Sequence, residues 1–268
     1  MEIQLRKMAF TLPSGYSCEI REQNGEDEEI LSNPSSIKNF MNINEFIAGI
    51  VTHTDFTASG KLLVSDVMKL PLLDRAVILI NSRIFSLGEE LEFNYKWPRP
   101  ENSKDQAEFT YTQDLKDYLF EDYSKQPTEE ELASKPDAVP YYLVPEDKKN
   151  EGKVQLKDLT FTLTSGKEIM WDVATVESEQ YLMKLGMENI SRNKDLLARN
   201  LRLKVEGNWE KVQNFKLFSV KDMAEMRKEI STLDPAFTGT TEIEDPVTHS
   251  KTQVSILAVP TFFYLTEA

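Results

Sequence analysis

The sequence predicts an α+β fold made of two tandem related modules, each of β-hairpins packed with two or three helices. Three observations predict it. A block near the start recurs in the second half, short segments alternate apolar and polar residues with period two, and one long apolar run has helical spacing.

The repeat comes first. Phe10-Thr11-Leu12-Pro13-Ser14-Gly15 returns as Phe161-Thr162-Leu163-Thr164-Ser165-Gly166, an offset of 161 − 10 = 151. Without a gap the same offset aligns Glu26 with Glu177, Glu28 with Glu179 and Leu31 with Leu182, giving eight identities in 22 positions. Each copy predicts a strand, a turn on Ser-Gly, a returning strand, then an acidic segment suited to a helix N-terminus. The residues 43–52 and 195–205 read as helical in the two copies.

In the first copy, Ser65-Asp66 offers a cap before Val67-Met68, and the dense apolar run Leu72 to Leu87 closes at Gly88. Its apolar positions cover most of the helix circumference, which predicts a central helix. In the second, Ser219-Val220-Lys221-Asp222 precedes Met223, Met226 and Ile230, and Asp234-Pro235 ends the helix. A hairpin should follow each: Glu90–Tyr95 with Ala107–Tyr111, then Thr240–Glu244 with Gln253–Leu257. The predicted boundaries are an N-terminal module over 1–120, a Pro-rich charged linker or arm over 121–152, and a C-terminal module over 153–268. Tyr141-Tyr142-Leu143-Val144 is an apolar patch within that linker, read either as a staple onto a module or as a docking segment.

Composition narrows the function classes. The chain has 268 residues, 45 acidic against 31 basic, and a formal net charge of −14. That field repels phosphates and anionic lipid, so nucleic acid and membrane insertion are not expected, and partners with basic patches are favoured. The first residues carry no apolar secretory core, which predicts a protein made and used inside a cell. The single Cys18 permits no internal disulfide and is expected to be a small buried apolar group. His53 and His249 have no Cys or His at metal-ligand spacing, no glycine-rich phosphate loop follows a strand, and no nucleophile motif occurs. Glu26-Asp27-Glu28-Glu29 is consecutive, so on a helix these acids fan around the axis and suit the N-terminal dipole better than a cation. No catalytic residue, cofactor or metal is expected. Asp74-Arg75, adjacent on an otherwise apolar helix, point about 100° apart and are expected to form structural ion pairs with different partners.

Taken together, "F-x-L-P-S-G", an acidic "D-E" stretch and "L-P-x-x-D-R-x-x-L-x-x-x-R-x-x-S-x-G" resemble the baseplate hub assembly family of contractile-tailed bacteriophages and related phage-tail-like injection systems. The matching residues are Leu12, Pro13, Ser14, Gly15, Asp27, Glu28, Leu70, Pro71, Asp74, Arg75, Leu79, Arg83, Ser86 and Gly88, with Pro260, Phe262 and Phe263 in the closing element. Members often carry a Cys-Pro-x-x-Cys-type pair in the hairpin after the D-R helix. This chain has Asn94-Tyr95-Lys96-Trp97-Pro98-Arg99-Pro100 there, so no zinc role carries over, and the hairpin would rely on aromatic packing.

The resemblance implies a non-enzymatic structural or assembly protein that binds other tail and baseplate proteins. It would assemble in the host cytoplasm and reside in the virion tail, as a homo-oligomer if the assembly symmetry requires it. The alternatives are a cytoplasmic tail-assembly chaperone absent from the finished particle, and an enzyme with an unrecognised acidic metal site. Trp97, Tyr141 and Tyr142 are the candidate partner-binding anchors, because Trp and Tyr dominate interface hot spots, and each is equally well explained as local packing.

Overall fold

Both predicted Ser-Gly turns form, and they form alike. In a computed structural model that describes residues 5–101, 105–142, 149–150, 153–185 and 192–264, β1 (Lys7–Thr11) and β2 (Ser17–Arg21) pair antiparallel. Gly15 turns the chain at φ 84°, and the Leu12 backbone both donates to the Tyr16 carbonyl and accepts from the Gly15 N–H. These positions recur 151 residues on: Gly166 has φ 82°, and Leu163 donates to the Lys167 carbonyl and accepts from Gly166. A left-handed backbone at both sites explains the glycines, since an L side chain there costs about 1–2 kcal/mol.

The offset continues. Helix α1 (Gly25–Ser32) opens on the Asn24 cap. Two short helices follow, α2 (Pro34–Lys38) and α3 (Asn42–Ile50), then β3 (Val51–Thr54) pairs with β2. After the one-turn α4 (Val64–Val67) comes the central helix α5 (Leu72–Leu87). The hairpin β4 (Glu90–Lys96) and β5 (Glu108–Asp114) closes the first half. The junction contributes α6 (Glu129–Ser134) and a short pair, β6 (Lys149–Asn150) with β7 (Lys153–Val154).

The second half begins with β8 (Leu159–Thr162) and β9 (Glu168–Trp171), then α7 (Val176–Lys184) on the Thr175 cap, 151 residues after α1 and Asn24. Helix α8 (Arg192–Ala198) precedes β10 (Arg202–Val205), which pairs with β9 as β3 pairs with β2. Strand β11 (Asn208–Lys211) adds a fourth strand with no counterpart in the first sheet. Helix α9 (Val220–Leu233) and the hairpin β12 (Thr240–Glu244) with β13 (Lys251–Ser255) complete the order.

Helices and antiparallel sheets thus make an α+β fold. Two expectations need correction. Residues 195–205 are not one helix: α8 stops at Ala198, Asn200 takes φ 55°, and β10 follows. Likewise α3 stops at Ile50, and Thr52 lies in β3. A short helix followed at once, or within three residues, by a four-residue strand leaves too few positions for either period to show.

Part of the described junction is packed, while α6 and its flanks are mostly exposed. Tyr123, Ala138, Val139, Tyr141 and Tyr142 are buried with the rest of the core, and the Val139 N–H donates to the Tyr118 carbonyl. Leu143 and Val144 lie outside the described residues. Among the described residues, no helix is long and apolar enough to cross a membrane.

The turns offer a direct check of this account. A methyl group added at Gly166 would meet nothing within 4 Å, so Gly166→Ala should cost only the backbone strain, about 1–2 kcal/mol by urea denaturation.

Candidate functional site

The charged dipeptide in the first turn of α5 faces two ways. Asp74 is fully buried, and its carboxylate accepts from the Ser14 N–H at 3.0 Å and the Ser14 hydroxyl at 2.5 Å. It therefore ties α5 to the Ser-Gly turn of its own half, and its partner is a turn rather than the cation an ion pair requires. Arg75, rotated around the helix, reaches the second half and holds Glu179 on α7 through two bonds of 2.5 and 2.8 Å. The second half has a similar but exposed tie, one residue out of step: Glu225, at the position 151 residues beyond Asp74, accepts from the N–H and hydroxyl of Thr164, the neighbour of Ser14's counterpart Ser165. Beside it, Asp222 takes the Lys167 ammonium at 2.8 Å, which holds the Asp222 carboxyl well below the usual range.

Backbone bonds join the same place. The Leu72 N–H donates to the Ala174 carbonyl, and the Val176 and Glu177 N–H groups donate to Leu70 and Met68. The N-termini of α5 and α7 are thus stitched to each other's approach segments. The Tyr142 hydroxyl accepts from the Leu73 N–H at 3.4 Å. Around it, Asp234 accepts from the Ala174 N–H at 2.8 Å and pairs with Arg199. Burial raises the Tyr142 hydroxyl well above its ordinary pKa, helped by the Asp74 and Asp234 charges.

The three candidate anchors are corrected here. Trp97 is 5% exposed and Tyr142 1%. The Trp97 indole donates to the Tyr111 hydroxyl at 2.8 Å, and that hydroxyl donates to the Glu244 carbonyl on β12. Tyr141 is buried against Phe120 and Tyr123, with its hydroxyl on the Asp122 carbonyl. Each aromatic is spent inside the chain, where both hairpins and the junction fold over it.

Next to Trp97, Arg99 holds Asp245 of the opposite hairpin with bonds of 2.5 and 2.8 Å. Neither was singled out in the sequence, because partners 146 residues apart leave no spacing to read. The Asp245-Pro246 turn, the Trp97-Pro98-Arg99-Pro100 loop and the absence of cysteine were the available signals. The aromatic packing expected there is present: Phe93 stacks with Tyr111, and Tyr95 meets Trp97 edge-on.

Two adjoining grooves of about 550 and 510 Å³ share Lys69, Lys157, Asp172, Val173 and Thr175 as walls. Their polar groups are largely engaged. Asp172 accepts from Arg202, Asn200 and the Asp158 N–H, and Lys69 pairs with Asp66. Cys18 is buried on β2, and burial pushes its thiol up to about 12, away from nucleophilic use. His53 is exposed on β3, and His249 sits in the β12–β13 turn at φ 57° with Nδ1 2.7 Å from Glu244. Among the described residues, no three His, Cys, Asp or Glu side chains are grouped to hold a metal ion. No protein-family model, curated protein or solved structure matches this chain.

Two measurements follow from this geometry. Burial pushes the Asp74 carboxyl up to about 7, against the pull of both Ser14 bonds. As pH rises from about 4 to about 7, the unfolded chain gives up this proton while the folded chain keeps it. Stability should therefore fall across that window, by at most about 4 kcal/mol at about 1.4 kcal/mol per pH unit. Asp74→Asn should lack that component of the slope when both proteins are melted from pH 4 to pH 8. Trp97→Ala should lower stability by about 3–5 kcal/mol in denaturant titrations, as expected for a large buried aromatic.

Proposed function

We propose that this chain is a non-enzymatic structural or assembly protein of a phage tail baseplate or hub, or of a related contractile machine, that binds neighbouring tail proteins. The tandem-module organisation belongs to the same proposal, with two similar halves presenting two related surfaces. One observation carries most of the weight: the residues of the resemblance serve as framework fasteners and meet one another. Ser14 of the "L-P-S-G" block bonds Asp74 of the "D-R" helix. Arg83 donates to the Gly88 and Glu90 carbonyls, and Ser86 accepts from the Gln23 N–H. Asp27 takes a two-bond grip from Arg21. A motif used up in its own scaffold fits a protein whose product is shape.

Charge supports the partner class. A surface with net charge −14 favours encounter with basic patches and sets register more than raw affinity. The similar ties at Asp74 and Glu225 give each half its own hairpin-to-helix fastener, which keeps two related faces rigid. The cytoplasmic chaperone remains the rival within the same proposal.

Mass spectrometry of purified particles from the source of this sequence, calibrated with labelled peptides, should find the chain at a fixed, symmetric copy number. Absence from particles with soluble complexes in the lysate would favour the chaperone. Absence from both would sink the tail reading.

A further inference from the structure

A small apolar pocket opens where the two halves meet, away from the grooves. Its walls include Ile43, Leu79, Gln180, Met183, Leu257 and Phe263, and its volume is about 190 Å³. That is room for one large side chain, whereas pockets for drug-sized ligands begin at about 300 Å³. Phe40 lines it too, and Phe40 and Met183 stand 47% and 44% exposed, so two large apolar groups of the same pocket face solvent. Ile37, whose carbonyl accepts from the Phe40 N–H, is 47% exposed as well.

The rim is held in place. Phe40 is a non-glycine residue at φ 58°, a conformation that bulky residues seldom adopt. It is fixed there by Gln180, whose Nε2 donates to the Phe40 carbonyl at 2.6 Å. Gln180 is 3% exposed, and its Oε1 has no hydrogen-bond partner.

Charge selects the occupant. The cation in the pocket wall, Arg75, is already neutralised by Glu179. Helix α1, packed on α3, presents exposed Glu26, Glu28 and Glu29. Glu28 lies close enough to Tyr264, the neighbour of Phe263, to help raise its hydroxyl pKa.

We propose that this pocket docks a protein segment carrying one large apolar side chain flanked by Lys or Arg. The anchor fills the space between Phe40 and Met183, and the basic flanks face α1. A second copy of this chain is a poor occupant, because both surfaces carry net charge −14. The inference rests on the reading of the chain as a binding protein and adds the docking point and the partner's chemistry.

The test is selection of a random peptide library on the full chain, with counter-selection on Phe40→Asp/Met183→Asp. Both positions are about half exposed, and an unchanged melting curve shows that the double variant still folds. Enriched peptides should combine one Leu, Ile, Met or Phe with flanking Lys or Arg. A synthetic consensus peptide should bind the double variant at least about tenfold more weakly, and should lose as much when its apolar residue becomes Ala. It should also shift the Gln180 side-chain amide resonance. Peptides without that pattern, or with equal affinity for the double variant, would overturn the proposal. So would a wild-type dimer in light scattering that the double variant dissolves, since the occupant would then be a second copy. Failed selection with the chain present in particles removes this pocket alone; successful selection with the chain absent from particles removes the structural-subunit reading alone.

Discussion

The first turn of α5 has no side-chain cap of its own: Pro71 occupies the cap position and offers only its carbonyl, which accepts from the Arg75 N–H. A helix start leaves N–H groups that must find acceptors when buried. Here they are found outside the first half, in the Ala174 carbonyl and the Tyr142 hydroxyl. Helix α7 returns the favour through the Leu70 and Met68 carbonyls. The central helix of one half is thus completed by the approach to a helix of the other and by the junction between them. That dependence makes the two halves one structure in spite of their separate sheets.

The charges follow from the same requirement. Two helix N-termini brought together concentrate partial positive charge, and acids near such ends are favoured. Asp74, Glu179 and Asp234 gather there, with Arg75 and Arg199 paired among them. The two hairpins are likewise joined by Arg99 and Asp245, next to the Trp97–Tyr111 hydrogen bond. A charge-assisted contact in a hairpin tip can hold what a metal holds in smaller modules, though without a metal's dependence on thiol state.

Much of this was readable before any coordinates. The Ser-Gly turns carry a repeat, the Ser219–Asp222 segment marks the start of α9, and Gly88 marks a helix end. Those signals are local, so the sequence displays them. Strand β3 is hidden because it follows α3 at once, β10 because only three residues part it from α8, and each spans only four residues. Tyr141, Tyr142 and Trp97 admit two readings in the sequence, partner anchor or local packing, and the structure buries all three. Their neighbours are prolines and charges, and composition reports what flanks a residue, not what folds over it. The Gln180–Phe40 contact, 140 residues apart, had no local signature at all.

Cys18 gives the first sheet an unplanned reporter. It is the chain's sole thiol, sits on the middle strand between β1 and β3, and is shut away from water. Any reagent that modifies it must wait for that sheet to part, so the labelling rate measures how often the first half breathes while the rest stays folded. Because α5 is completed from the far side of the molecule, a disturbance at the second half should be audible in that single chemical clock.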